Sequence, residues 1–168
     1  MTPLLPRIKA LPAVLILVCL VGGPVSCSRE SSNQDKTVSV KPDDPDMTAA
    51  IASARASLPG FWKIFDHPEH GESDFCLKVK IEDKGEVEYF WLANIERQGG
   101  KIYGVISNEP EFVKSVKAGQ RLEVNEADIS DWMYTRDARL HGNYTLRALF
   151  KAMPKTEVDK YRALLADP

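Results

Sequence analysis

Cysteine is scarce in this chain of 168 residues: there are three, and Cys76 alone lies in the body of the sequence, after Cys19 and Cys27. A single thiol cannot close an internal disulfide, so the domain must be held by its core. Cys76 itself falls in an alternating strand pattern and reads as a small semi-buried residue rather than a nucleophile. Histidine is as rare, with His67 and His70 in one loop and His141 far downstream, which leaves a thin repertoire for acid–base chemistry. The chain has no Gly-x-Ser-x-Gly elbow, no phosphate loop and no dinucleotide fingerprint. No clustered basic face accompanies the formal net charge of −2, which argues against a nucleic-acid partner. Nothing in the residues calls for a cofactor or a resident metal.

What is present begins with an export pattern. Arg7 and Lys9 precede the uncharged, mostly apolar run Ala10 to Gly23. That run falls short of the roughly 20 residues needed to cross a bilayer core of about 30 Å, but it fits the apolar part of a signal peptide over residues 1–26. Pro12 and Gly22-Gly23-Pro24 argue against a buried helix there. Val25-Ser26-Cys27-Ser28 then resembles a bacterial lipobox, with Pro24 where leucine is usual. Acylation of Cys27 is the favoured reading and ordinary signal cleavage the alternative. Lipid chains contribute about 0.8 kcal/mol per buried CH₂, so an acylated Cys27 would hold the protein on a membrane, facing the periplasm. The alternative leaves it soluble in the periplasm or secreted. Loss of Arg7 and Lys9 with the signal leaves 20 basic against 24 acidic residues, a net charge near −4.

Residues 27–45 are rich in Ser, Asn, Asp, Lys and Pro, with Val38 and Val40 as the apolar members beyond Cys27. Such a stretch cannot bury enough surface to offset its ordering entropy and reads as a flexible tether. One domain is expected over residues 46–168. Thr48 to Ser57 is alanine-rich and predicts a helix, capped by Asp46 or Thr48 and stopped by Pro59-Gly60, with a short aromatic turn at Phe61 to Phe65. Phe75, Leu77, Val79 and Ile81 alternate with Cys76, Lys78, Lys80 and Glu82, a strand with one buried face. Asp83-Lys84-Gly85 turns the chain into a strand from Glu86 to about Arg97 whose middle is covered on both sides. A third strand follows over Ile102 to Ser107, then one helical turn around Phe112 to Val116, a fourth strand at Leu122 and Val124, and a fifth at Ile129 to Tyr134. Two helical segments separated by Met153-Pro154 close the chain. The expected fold is α+β: a small, strongly bent antiparallel sheet or partly open barrel of about five strands, with an N-terminal helix and two C-terminal helical segments packed on it.

Several blocks together carry a family resemblance. They are Asp43 to Met47, Ala54-Arg55 through Leu58-Pro59-Gly60-Phe61, Trp91, Asn108-Glu109-Pro110 and Gly119-Gln120. Ile129-Ser130-Asp131-Trp132, Gly142-Asn143-Tyr144-Thr145 and Ala148 to Pro154 complete the set. In this order they resemble the bacterial family catalogued as domain of unknown function 2314, which includes the YegJ-like exported proteins. The resemblance covers roughly Asp43 to Tyr161. It implies no activity and supplies no catalytic residues, so functional readings rest on the residues themselves.

Three such readings follow. The first is a non-catalytic binding module of the cell envelope, taking a protein or small molecule on a rim of Asn108, Glu109, Asp128, Asp131, Trp132, Tyr134, His141 and Asn143, since functional groups concentrate on loops held by a rigid scaffold. In the bland version of that rim, Asp131 and Asn143 cap turns through backbone hydrogen bonds while Trp132 fills the core. The second is a hydrolase, with Asp131, His141 and either Ser130 or Thr145 as an acid–base–nucleophile set, or with Glu109 and Asp131 as paired carboxylates. The third is an envelope protein that occludes a basic partner through its mildly acidic surface. The loop Asp66 to Glu72 crowds two histidines with three carboxylates, yet Pro68 and Gly71 make it a solvated loop rather than a helix presenting both imidazoles.

Overall fold

The computed structural model describes residues 44–167; the signal-like segment, Cys27 and the tether as far as Asp43 lie outside the described residues. The elements in order are α1 (Pro45–Asp66), β1 (Ser73–Asp83), β2 (Glu86–Gln98), β3 (Lys101–Ile106) and β4 (Arg121–Val124). A 3-10 turn (Glu126–Asp128), β5 (Ile129–Arg136), β6 (Arg139–Gly142), α2 (Tyr144–Leu149) and α3 (Lys155–Leu164) follow. The fold is α+β, as the sequence predicts. The sheet is antiparallel and open, in the order β4-β3-β2-β1-β5-β6. It has six strands rather than about five because residues 139–142 pair with β5 across the tight Asp137-Ala138 reversal, where both residues have positive φ.

Helix α1 differs most from its predicted form. Asp44, not Asp46 or Thr48, is its N-cap, accepting a 2.9 Å bond from the Met47 N–H, with Pro45 in the first turn where its missing N–H costs nothing. The helix then runs through Pro59 to Asp66 as one element. Ala54, Leu58, Phe61 and Trp62 form a buried stripe that continues across the proline, while Pro59 and Gly60 lie on the exposed side. Burying Phe61 and Trp62 contributes roughly 1.5–3 kcal/mol each, enough to offset the cost of about 3 kcal/mol for an interior proline. Phe61 packs on Trp132 of β5 at 5.3 Å and edge-on against Phe75 of β1 at 5.9 Å.

That face of the sheet, covered by α1, holds the main core: Leu77 and Val79, Phe90 and Leu92, Ile102 and Ile106, Ile129, Trp132 and Tyr134. The opposite face carries a smaller cluster of Cys76, Trp91 and Met133. Two bulges decide which residue faces which side. Lys78 pairs with Asp131 but Val79 pairs with Ile129, so Ser130 is an extra residue whose hydroxyl donates to the Lys78 carbonyl at 3.0 Å. Ile129 and Asp131 therefore face opposite sides, against the simple alternation of a strand. In β2 a register shift at Asn94, in the left-handed region, turns Ile95 toward the main core. A side chain at Gly104 would come within 2.9 Å of Leu92 and Ile95, so that packing requires glycine.

The helical turn predicted around Phe112 to Val116 is not formed; residues 107–120 are an irregular loop. Its N–H groups at Glu111, Phe112 and Val113 donate instead to the buried carboxylate of Glu88, at 3.0 to 3.2 Å. A carboxylate accepting several backbone donors replaces the helix those donors would otherwise need. In α1, Pro59→Ala is expected to raise unfolding free energy by about 1–3 kcal/mol, because it restores one helical N–H at an exposed position; urea denaturation followed by circular dichroism checks this, and a loss of stability would mean that the helix depends on the proline.

Candidate functional site

The two segments Ile129 to Tyr134 and Gly142 to Thr145 meet at one side chain. Gly142 and Asn143 both adopt positive φ and swing the chain out of β6 into α2. A Cβ at Gly142 would lie 2.2 Å from the Trp132 carbonyl oxygen, so no other residue fits. Asn143 makes no side-chain cap for α2. The capping falls to Asp131 on the neighbouring strand. Its Oδ1 accepts from the Tyr144 N–H at 3.2 Å and the Trp132 N–H at 2.9 Å; its Oδ2 accepts from the Thr145 N–H at 2.7 Å and the Thr145 hydroxyl at 2.6 Å. The first N–H groups of a helix have no partner within it, and a carboxylate there is favoured by the helix dipole as well. The Thr145 hydroxyl in turn accepts from Lys78 Nζ at 3.1 Å, and that ammonium lies 5.7 Å from the Trp91 ring and 5.9 Å from Tyr89.

This network is sealed: Asp131 is 0 % exposed, Lys78 1 % and Thr145 2 %. Burial pushes the Asp131 carboxyl above its ordinary value, against the pull of the Thr145 hydroxyl, the Lys78 charge and the backbone donors. Burial draws the Lys78 ammonium down to about 8, opposed by the Asp131 charge. β5 is an inner strand of the sheet and the Asp131 carboxyl is fully enclosed. The bland expectation for Asp131 and Trp132 matches the geometry, with the Trp132 indole N–H donating to the Ala54 carbonyl at 3.0 Å. Asn143 instead sends its amide to the Met133 sulfur at 3.3 Å.

The eight rim residues do not form one rim. Asn108, Asp131, Trp132, Tyr134 and Asn143 are buried, while Glu109 and Asp128 are exposed on separate loops. Asn108 accepts from the Trp91 N–H at 3.0 Å, and its own amide nitrogen is enclosed without a partner. Asp131 and His141 lie on opposite faces of the sheet: His141 is paired with Tyr134 across β5 and β6, its ring stacked at 4.8 Å and 4° on the tyrosine. An Asp131–His141 acid–base pair is therefore not assembled. Burial lowers the His141 imidazole, aided by the nearby Arg136 charge.

A second cluster lies where α1 ends. Arg136, at the end of β5, donates from Nη2 to the Tyr134 hydroxyl at 2.9 Å; its Nε sits 3.0 Å from Glu72 Oε1, an ion pair off the line of a hydrogen bond. Glu72 Oε2 accepts from the His70 N–H at 2.7 Å, which is the main reason its carboxyl is held below the ordinary value. Around this pair opens a cleft of about 500 Å³ lined by Lys63, His67, Glu69, His70, Glu72 and Arg136. No group of three or more His, Cys, Asp or Glu side chains among the described residues is arranged to hold a metal ion.

Sequence reasoning missed Lys78, Glu88 and the Glu72–Arg136 pair. A signal existed for Lys78: a strand whose neighbour carries Tyr89 and Trp91 toward the same side cannot leave that side wet. None existed for the other two, whose partners lie 23 or more residues away across loops.

An open antiparallel α+β sheet with a sealed polar network between β1, β5 and α2 defines the architecture of this domain. The chain belongs to the bacterial family described as uncharacterized protein conserved in bacteria (DUF2314), which matches residues 44–165. It is 38 % identical over 123 residues to the uncharacterized protein YegJ of Escherichia coli (strain K12), covering 73 % of this chain and 79 % of that one. It is 31 % identical over 132 residues to a protein of Neisseria meningitidis serogroup B whose name carries the words ankyrin repeat protein; the match covers 74 % of this chain and 52 % of that relative. No solved structure gives a significant match.

Removing one partner of a buried charge network costs about 3–5 kcal/mol. Asp131→Ala is expected to lose that much in urea unfolding, since it strands Lys78 and the four donors that Asp131 accepts from. Lys78→Met is expected to cost less, because Asp131 keeps all four of its donors, and the double variant to fall short of the sum. The folded Lys78 loses its proton at lower pH than the unfolded one, so the unfolded state binds more protons between pH 8 and 10.5. Stability of the wild type relative to Lys78→Met should therefore rise with pH across that window, by up to about 1.4 kcal/mol per unit; a flat difference would refute a buried ammonium.

Proposed function

We propose that this protein is an exported, non-catalytic binding module, tethered to the bacterial cell envelope by an acylated Cys27, that engages an envelope protein or small molecule through the cleft at the end of α1. The observation that carries the reading is a contrast in availability. The groups able to do chemistry, Asp131, Thr145 and Lys78, are sealed and consumed by one another. In the cleft, the Lys63 ammonium, the imidazoles of His67 and His70, and the Arg136 Nη1 have no hydrogen-bond partner among the described residues. Functional surfaces present unsatisfied polar groups on loops positioned by a rigid frame. Two of the originally expected rim residues belong to this corner, with Tyr134 and His141 stacked behind Arg136.

The tether reading is supported by the order of segments: an apolar export-type run, a small residue before Cys27, a polar stretch, and a domain that begins at Asp44 with a well-capped helix. No helix among the described residues is long and apolar enough to cross a membrane. Mass spectrometry of the mature protein is expected to find acylated Cys27 as its first residue; an unmodified start beyond Cys27 would replace the lipoprotein with a soluble periplasmic or secreted protein. A photo-crosslinking amino acid at Lys63 is expected to capture a discrete envelope component in living cells, whereas one at the exposed Lys155 of α3 captures none. Equal labelling from both positions would rule out the cleft as the binding surface.

A further inference from the structure

The two edges of the sheet are finished differently. At β6 the chain covers its own edge: Leu140 and Leu165 form a parallel bridge, the Ala166 N–H donates to the Leu140 carbonyl at 2.9 Å, and Arg139 Nη1 donates to the Leu165 carbonyl at 3.2 Å. At β4 no further strand follows among the described residues. Register fixes which backbone groups this leaves open. The Ile106 N–H donates to the Gln120 carbonyl at 3.0 Å, so by antiparallel alternation the pairs Gly104–Leu122 and Ile102–Val124 carry the ladder bonds to β3. The N–H and C=O groups of Arg121 and Glu123 therefore point out of the sheet, with no hydrogen-bond partner among the described residues. Such an open row is a template for another strand.

The side chains decide which strand it suits. Arg121 and Glu123 are exposed, while half-buried Leu122 and buried Val124 pack into the main core on the other face. Charges of one sign along an edge would repel a copy of themselves, but here one of each sign flanks a central leucine. An antiparallel copy of β4, related by a twofold axis at Leu122, sets Arg121 opposite the second copy's Glu123 and Glu123 opposite its Arg121. In that alignment the outward-pointing groups of Arg121 and Glu123 meet as hydrogen-bonded pairs. Leu122 meets Leu122 as a non-hydrogen-bonded pair, where side chains come closest. An axis at Arg121 or Glu123 instead places like charges face to face. Arg121 already pairs with Glu96 of β2 at 2.8 Å and lies over the Tyr103 ring at 3.8 Å, and Glu123 pairs with Lys101 at 2.8 Å. The self-pairing joins these into a row of alternating sign: Glu96, Arg121, then Glu123 and Lys101 of the second copy.

We propose that β4 is a self-association edge, through which two copies of this chain join their sheets by antiparallel β4–β4 pairing centred on Leu122. The strand is four residues long, so the contact belongs to the small, reversible class and is best read by covalent trapping. It lies on the other side of the sheet from β5 and β6 and is independent of the cleft at the end of α1. In the full-length chain, Leu122→Cys with a mild oxidant is expected to give a covalent dimer about tenfold above that from Lys155→Cys on α3, which shares the chain's own cysteines, because strand neighbours across the axis lie within disulfide reach. Arg121→Cys mixed with Glu123→Cys, both at exposed positions, repeats the trap without touching the core. In the Leu122→Cys background, Arg121→Glu alone or Glu123→Arg alone opposes like charges and is expected to cut the dimer roughly fivefold. Mixing those two variants, distinguished by tags of different size, restores opposite charges at both positions, so the heterodimer should form at the Leu122→Cys yield while neither homodimer does. Circular dichroism checks that each variant keeps its fold. Trapping no higher than with Lys155→Cys, equal yields from all charge variants, or no gain on mixing overturns the inference.

Discussion

The carboxylate of Asp131 ties this fold together. It sits on an inner strand of the sheet, yet it supplies the cap that the following helix lacks, and it does so with all four of its acceptor directions filled. A helix as short as α2 is marginal by itself, and its first turn exists because Asp131 meets the N–H groups of Tyr144 and Thr145. The position of α2 against α1 depends in turn on that cap. Lys78 completes the arrangement from the next strand through the Thr145 hydroxyl. A buried charge network of this kind adds little net stability compared with apolar packing. What it does supply is register: β1, β5 and the start of α2 fit together in only the alignment that satisfies every donor.

Two small backbone devices make that alignment possible. The extra residue at Ser130 lets Ile129 point into the main core and Asp131 into the opposite side. The left-handed pair Gly142-Asn143 bends the chain so that the new helix begins beside Asp131 rather than beyond it. Each device costs local strain or a ladder bond, and each is compensated by a specific contact, Ser130 to the Lys78 carbonyl and the Asn143 N–H to the Trp132 carbonyl at 3.0 Å. Glu88 does the same service at the other end of the sheet, holding the long loop between β3 and β4 without a helix.

The same economy separates what is rigid from what is available. Most polar groups inside the fold are consumed in fixing it, while the cleft where α1, the loop after it and the end of β5 converge is lined by side chains with free donor positions. The binding role proposed for that corner draws on the contrast with the enclosed Asp131, Lys78 and Thr145. It also agrees with the aromatic ladder from Phe61 through Trp132 and Tyr134 to His141, which gives the corner a stiff backing.

The sequence by itself determined the class of fold, the family, the meander of β1 to β3, the core sides of Leu77, Val79 and Trp132, and the break between the two C-terminal helices. These follow from hydrophobic period and turn residues, which act over a few positions. It also marked Asp131 and the Gly142-Asn143-Tyr144-Thr145 stretch as important. Tertiary structure alone decided why. The burial of Phe61 and Trp62 carried α1 through Pro59, because a long-range apolar contact outweighs a local helix breaker. The bulge at Ser130 turned Ile129 into the main core while Asp131 kept the opposite side, and a bulge leaves no trace in residue type. Lys78 looked like a solvent-facing lysine until its neighbours from β2 and β5 closed over it. The rim scattered and the cleft assembled for the same reason: side chains far apart in the chain become neighbours only when strands pair, and pairing register is set by the whole core rather than by any one segment.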